Sequence, residues 1–345
     1  VHGDLGSLLA VVICGVFVAA ALPVTIPLLR RAAAIDQPNH RSSHTVPTPR
    51  GGGITLAIGL IIAALLIHSA AALVFGFTVG VFAAIGWADD LAGLPALRRL
   101  GMQAAASLAA GWLLVSQVRG FGTLTAAAVA ATIIVAVWLA GFVNVFNFMD
   151  GVNGISAAHA ILGGTAYFCL GLWHSDQFLA TGGAAVVAVS LAFLPWNLPR
   201  ARVFLGDVGS YGLGAALALL GAYAVLRGVP VEAALGSLAL YLADTAWTLQ
   251  RRIRMGERWL QPHRTHAYQR LCDTGWSHQR VTLVTGTVTA AVSLLGAVSL
   301  TPYPGLRAAA DLAAIALLAA YLRAPAVLGA ATASTGKHRI QSRVA

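Results

Sequence analysis

The 345-residue chain is 58% hydrophobic and 10% charged, with a mean hydropathy of +0.78. A soluble globular domain carries about 25% charged residues, so that class is excluded. The formal net charge of +10 raises nucleic acid as a partner, but in so apolar a chain basic residues mark the cytoplasmic loops of a membrane protein, and no nucleic-acid role is expected.

Apolar runs of roughly 20 residues, the length that spans a bilayer, recur from end to end. The expected fold is an all-α polytopic transmembrane bundle of about eleven spans. They lie near 7–29, 53–71, 72–88, 102–118, 124–142, 156–173, 178–196, 208–226, 231–249, 281–300 and 308–324. No linker divides the chain, so 1–345 reads as one integral-membrane domain, with a disordered basic tail from about residue 331. The first residues carry no basic n-region, so the first run is expected to stay as a span. Spans two and three meet at His68 to Ala71 in a tight hairpin. Cys14, Cys169 and Cys272 have neither zinc-like nor disulfide-like spacing and read as free thiols.

Of the 22 Lys and Arg, this arrangement leaves only Arg119, Arg227 and Arg307 on one side of the membrane. The positive-inside rule then places the N-terminus outside and the C-terminus in the cytoplasm. The same division sends His40 to Gly53, Asp89-Asp90, Asn144 to Asn153, Asp207 and His263 to Gln269 to the cytoplasmic face. A secondary transporter would place its polar groups at mid-membrane, with internal repeats. Asp244 is the lone candidate for that, and no repeat is visible. Polar groups gathered at helix ends favour an enzyme working at the membrane surface.

In chain order, Asp36 to Gly53 is a proline-stiffened loop in which His44, Arg41 and Arg50 supply positive charge and Gly51 to Gly53 permit close backbone approach to an anion. Asp89-Asp90 closes the third span. Adjacent carboxylates repel each other and sit at the unfavourable end of the helix dipole, so they call for a cation. Arg98 and Arg99 follow at a distance suited to holding an anion. Asn144, Asn147, Asp150 and Asn153 are spaced three apart, which on a helix lines one face with hard oxygen ligands suited to Mg²⁺. Phe204-Leu-Gly-Asp-Val-Gly-Ser210 opens the eighth span with Asp207 placed as an N-cap-like acid. His263-Arg-Thr-His-Ala-Tyr-Gln269 lies in the most basic loop and suits phosphate and sugar hydroxyls. Asp244 is expected to pair with Arg251 or a buried neighbour.

Together these residues resemble the polyprenyl-phosphate N-acetylhexosamine-1-phosphate transferases, the MraY/WecA superfamily. The resemblance runs from Asp36 to about Gly275, with four motifs in the family's order. The form of the last loop is similar to the WbpL-type branch that starts O-antigen and related surface glycans, and departs from the three-histidine form of the peptidoglycan enzyme. The resemblance implies transfer of a sugar-1-phosphate from a UDP-N-acetylhexosamine to undecaprenyl phosphate in the bacterial inner membrane, with release of UMP. It implies Mg²⁺, or Mn²⁺ in its place, on Asn147 and Asp207. Asp89 takes the role of the catalytic carboxylate, as base or as nucleophile, with Asp90 in support. Asn153 stands where the family reads uracil, and Arg99 where it has a lysine near the lipid phosphate. His263, Arg264 and His266 correspond to the donor-contacting loop, with Asn144, Asp150 and His44 as further substrate-side residues. The donor stays open among UDP-GlcNAc, UDP-FucNAc and UDP-QuiNAc, and the oligomeric state is equally open, a homodimer included. A polyprenyl-phosphate phosphatase or pyrophosphatase is the competing reading, since it uses the same acids and metal without reading a nucleotide.

Overall fold

The computed structural model describes residues 5–32, 34–37, 46–119, 125–257 and 264–341. In chain order the helices are α1 (Leu5–Arg31), α2 (Gly53–Ile67), α3 (Ala70–Ala92), α4 (Ala96–Arg119), α5 (Ala126–Phe148), α6 (Ile155–Trp173), α7 (Gln177–Asn197), α8 (Gly206–Leu226), α9 (Val231–Leu235), α10 (Ala239–Arg254), α11 (Ala267–Asp273), α12 (His278–Ala297) and α13 (Pro304–Gln341). Short 3₁₀ turns, Gly236–Leu238 and Val298–Leu300, follow α9 and α12. Between α1 and α2, β1 (Ile35–Asp36) pairs antiparallel with β2 (Thr48–Pro49).

The helix starts follow their cap chemistry. Ser69, Thr125, Asp176 and Ser277 each accept a backbone N–H three residues on, at the heads of α3, α5, α7 and α12. His68, in the left-handed region at φ 51°, ends α2 directly before the Ser69 cap, which gives the expected tight hairpin.

Eight helices among the described residues are long and apolar enough to cross a membrane: α1, α3, α5, α6, α7, α8, α12 with its 3₁₀ extension, and the Pro304–Gly329 part of α13. The count differs from eleven at three places. With 15 residues, α2 reaches about 22 Å at 1.5 Å per residue, short of a hydrocarbon core of about 30 Å. The expected span 102–118 lies inside α4, whose first turns carry Arg98, Arg99 and Gln103 and lower its hydropathy. The stretch 231–249 is broken into α9, the 3₁₀ turn and α10. There Gly296 of α12 lies so close to the backbone of Glu232 that a Cβ would overlap its carbonyl. The last helix continues to Gln341, past the point where a disordered tail is expected. All three cysteines are free thiols.

At the centre runs α8, buried along almost its whole length, with α2, α3, α5, α6 and α7 around it. Its first turn packs backbone to backbone on α2: a Cβ at Gly53 would overlap Gly209, so this approach requires glycine at both positions. A smaller apolar cluster of Phe82, Ile85, Ala106, Val143, Tyr211 and Ala215 sits between α3, α4, α5 and α8, directly behind the polar groups described next. At the opposite end of the bundle Asp176 accepts from the Tyr223 hydroxyl (2.9 Å) and Glu232 pairs with Arg307 (2.8 Å). These contacts tie α7 to α8 and α9 to α13.

Candidate active site

The ends of α3, α5 and α8 and the loop before α2 converge at one end of the bundle. Asp89 and Asp90 are neighbours on α3, but successive helical residues point about 100° apart, and their carboxylates part company. Asp89, buried at 7% exposure, turns to α4 and α8. Its Oδ1 accepts the Leu94 N–H (2.8 Å), and its Oδ2 accepts from Arg99 Nη1 and the Tyr211 hydroxyl (both 3.0 Å). Asp90 turns to the start of α8 and accepts the backbone N–H groups of Asp207 and Val208 (both 3.0 Å). The sequence places Asp207 as the N-cap of that helix. The structure corrects this: Asp207 is in the first turn, and the capping carboxylate comes from Asp90 on another helix.

Freed from capping, Asp207 Oδ1 accepts from Asn147 Nδ2 (2.9 Å) and Arg50 Nη2 (2.7 Å). Asn147 Nδ2 also reaches the Ser210 hydroxyl (2.9 Å). Arg50 closes the cluster through its Nε, 2.7 Å from Asp90 Oδ1. Burial works against the charge on Arg50, yet Asp207, Asp90 and Asp36 outweigh it and raise the guanidinium above the ordinary arginine value. The cation called for by the paired acids is therefore supplied twice, by Arg99 on Asp89 and by Arg50 on Asp90.

The residues spaced three apart do not share one helix face, because α5 ends at Phe148. Asn144 points sideways and donates to Gln103 Oε1 on α4 (2.6 Å) and to the Ala140 carbonyl (2.8 Å). Asp150 lies past the helix end, within the electrostatic reach of Arg50, Asp207 and Asp90. Burial pushes its carboxyl from 3.8 up to about 6; Arg50 pulls the other way, and the two acids add to the rise. Asn153 sits in the turn before α6. Its Nδ2 donates to the Pro199 carbonyl (3.2 Å), its N–H to His278 Nδ1 (3.3 Å), and its carbonyl accepts from Thr282 (2.9 Å). Beside it, Asn197 Nδ2 donates to the Val203 carbonyl (3.0 Å), fixing the connection into α8.

The basic loop is tied in by a buried acid. Asp244 on α10, with no exposed surface, lies 3.2 Å from His266 Nδ1. It also accepts the Ala267 N–H (3.0 Å) and the hydroxyls of Thr248 and Tyr321 (both 3.2 Å). Its partner is therefore the loop histidine rather than Arg251, which donates to the Thr265 carbonyl (3.3 Å). The Tyr268 hydroxyl donates to the Phe148 carbonyl (3.0 Å) and so docks the loop on the end of α5. Arg264 pairs with Asp273 (3.1 Å). His44 and His263 lie outside the described residues.

The structure thus joins Asp89, Asp90, Asn147, Asp150, Asp207 and Arg99 in one cluster, holds His266 on Asp244 and Asn153 on Pro199, His278 and Thr282, and turns Asn144 and Arg264 to structural partners. Sequence reasoning missed Arg50 as the bridge between acids, and also Tyr211, Gln103 and Asn197. Gln103 had a signal, an amide in an apolar stretch four residues from Arg99 and so on its face. Tyr211 had none beyond following Ser210.

For a divalent metal the donor chemistry fits. Asp207 keeps Oδ2 without a partner among the described residues, and Asn147 offers a hard oxygen once its carboxamide is rotated by 180°. No group of three or more Asp, Glu, His or Cys among the described residues makes a cage. Mg²⁺ takes one or two carboxylates and completes its shell with water and phosphate oxygens, and Asp207 and Asn147 are the residues that would offer it donors.

Fold and site together define a helical integral-membrane protein with a carboxylate, amide and guanidinium cluster at one end of its bundle. The family model for glycosyl transferase family 4 matches residues 72–225, which holds Asp89 to Asp207. The chain is 30% identical over 296 residues to the decaprenyl-phosphate N-acetylglucosaminephosphotransferase of Mycolicibacterium smegmatis, covering 74% of this chain and 72% of that one. It is 29% identical over 288 residues to the probable undecaprenyl-phosphate N-acetylglucosaminyl 1-phosphate transferase of Bacillus subtilis (78% and 79%). To the phospho-N-acetylmuramoyl-pentapeptide-transferase of Symbiobacterium thermophilum it is 32% identical over 231 residues (57% and 68%). The chain belongs to glycosyl transferase family 4, the MraY/WecA superfamily of membrane transferases.

Proposed function

We propose that the protein transfers N-acetylhexosamine-1-phosphate from a UDP-sugar to undecaprenyl phosphate at the cytoplasmic face of the bacterial inner membrane, starting O-antigen or a related surface polysaccharide. The observation that carries this reading is the meeting of Asp89, Asp90, Asp207, Asn147, Arg50 and Arg99 at one end of the bundle. The relatives' names, which pair a polyprenyl phosphate with an N-acetylglucosamine phosphate, supply the two substrate classes. Basic residues at this end, Arg50 and Arg99 among them, support a cytoplasmic orientation.

In this scheme an oxygen of the acceptor phosphate attacks the donor's β-phosphorus. The bond from that phosphorus to the oxygen bridging to the α-phosphate breaks, and UMP leaves. Asp89 activates the attacking oxygen, held in place by Leu94 N–H, Arg99 and Tyr211. Arg99 and Arg50 hold the anions; Asn153 reads the base; His266, oriented through Nδ1 by Asp244, contacts the donor. Asp207 and Asn147 would hold Mg²⁺, whose chemistry is to neutralise the diphosphate charge that grows in the transition state.

The test is UMP release by purified protein with Mg²⁺, with and without undecaprenyl phosphate, over UDP-GlcNAc, UDP-FucNAc and UDP-QuiNAc, beside Asp89→Asn. Acceptor-dependent UMP from one donor, lost in the variant, supports the transferase and names the sugar. UMP or phosphate released without acceptor points to a hydrolase and overturns it.

A further inference from the structure

Arg50 stands apart among the described arginines. Its backbone is pinned on both sides: its N–H donates to the Ala34 carbonyl (2.9 Å), the N–H groups of Gly51 and Gly52 go to the Phe204 carbonyl (3.2 and 3.0 Å), and Phe204 N–H returns to Pro49 (2.8 Å). From this fixed base its guanidinium bridges an acid of α3 and an acid of α8, 2.7 Å from each. Asp89, Asp90, Asp150 and Asp207 gather here, with Asp36 also acting on Arg50, against two guanidinium groups, of which Arg99 pairs with Asp89. Among the described residues, Arg50 alone bridges the two carboxylates of Asp90 and Asp207, which are otherwise joined only through the Asp207 backbone N–H.

The oxygen it takes on Asp207, Oδ1, is the one that also accepts from Asn147. A divalent ion drawn to the open Oδ2 of Asp207 and to Asn147 therefore meets the Arg50 charge across the same carboxylate. The Arg50 side chain is 38% exposed, so it is free to swing outward while its backbone stays put. A guanidinium fork suits two phosphate oxygens as well as two carboxylates.

We infer that Arg50 is an exchangeable counter-cation. It holds Asp90 and Asp207 together while the site lacks metal, yields Asp207 when a divalent ion binds, and turns to the donor's diphosphate. This rests on the nucleotide-sugar reading for its last step only. Arg50 acts here as a positioning residue for the two acids.

The experiment uses full-length protein in detergent, without donor, as wild type, Arg50→Gln and Arg50→Lys. Mn²⁺ binding is read from loss of the free-ion EPR signal, and thermal unfolding is followed in EDTA and in excess Mn²⁺. Loss of one positive charge about 5 Å from a divalent ion in a water-like dielectric tightens binding by about tenfold, so Arg50→Gln is expected to bind Mn²⁺ that much more tightly. It is also expected to unfold earlier in EDTA and to recover in Mn²⁺. Arg50→Lys keeps the charge and falls between the two, which keeps the test open if the Gln variant does not fold. A merely structural role would weaken Mn²⁺ binding along with stability. Equal or weaker Mn²⁺ binding in Arg50→Gln, an unchanged midpoint in EDTA, or no Mn²⁺ binding by any form overturns the exchange. A wild type that binds Mn²⁺ with this pattern and releases no UMP from any donor leaves Arg50 as the counter-cation and removes the transferase reading instead.

Discussion

Asp90→Asn tests whether the second acid of the pair works through α8 or on substrate. The Asp90 side chain is 6% exposed and accepts two N–H groups from the first turn of α8. Asparagine keeps one acceptor oxygen and turns an NH₂ toward the other N–H. One charge-assisted bond of about 1.5–3 kcal/mol is lost, and the second falls to the neutral value of about 1 kcal/mol. The ion pair to the partly exposed Arg50 adds at most about 1 kcal/mol after solvent screening. The helix-dipole term is already contained in the charged bonds and is not added again. The expected loss is about 2–6 kcal/mol. With 345 residues at about 2.1 cal/mol/K of unfolding entropy each, 1 kcal/mol moves the midpoint by about 1.4 °C, so it should fall by about 3–8 °C.

The assay is fluorescence-monitored unfolding in detergent, in EDTA, beside UMP release. A double-mutant cycle with Arg50→Gln isolates the ion pair, whose coupling should stay near or below about 1 kcal/mol. If Asp90→Asn abolished UMP release while its midpoint stayed within about 1 °C of wild type, the capping argument would be refuted and Asp90 would belong with Asp89 at the reacting phosphates.

Two further outcomes follow from the buried acids. Asp150 has a folded pKa of about 6 against 3.8, so its protonated form stabilises the fold below about pH 4, and that stability is lost as the pH rises through about 6. Asp150→Asn should therefore leave the midpoint unchanged at pH 4 and raise stability at pH 7.5 by about 1–3 kcal/mol; parallel pH curves for the two proteins would sink this. Tyr321→Phe removes one donor to Asp244 and should cost about 1 kcal/mol, whereas Asp244→Asn, which strips the charge from a fully buried hub, should cost about 3–5 kcal/mol. Equal midpoints for the two variants would show that the charge on Asp244 is not what holds the loop.

Much of the fold was legible because a membrane helix announces itself by composition. Every apolar run became helix, and the Ser69 hairpin fell where the polar break is. What could not be read was set by contacts between distant segments. The run 231–249 shows no breaker stronger than Gly236, and it divides where α9 crowds the α12 backbone at Gly296. At the site, residue types were legible and directions were not. The spacing of Asn144, Asn147, Asp150 and Asn153 holds for a continuing helix, and the end of α5 at Phe148 cancels it after the second residue. Asn144 was readable as a polar group in an apolar setting, but its partner Gln103 comes from α4, 41 residues away. Arg50 was visible as charge, and only the packing of the β1–β2 ribbon against Phe204 brings it between two acids.

The start of α8 explains why so acidic a cluster can sit where anions are to bind. A helix N-terminus inside an active site is ordinarily a ready place for phosphate, through its free N–H groups and its dipole. Here two of those N–H groups are already taken by the Asp90 carboxylate, fixed on α3 and almost closed to solvent. An incoming diphosphate therefore cannot use the start of α8 without displacing Asp90. In the proposed reaction it would be held instead by the guanidinium groups and by a metal on Oδ2 of Asp207. Asp90 turns the helix start from an anion site into a rigid mount for Asp207, at the cost of placing one more negative charge beside Asp89. Arg50 offsets that charge, which makes the two residues a single device: one fixes the position of the acid, and the other keeps it tolerable until substrate arrives.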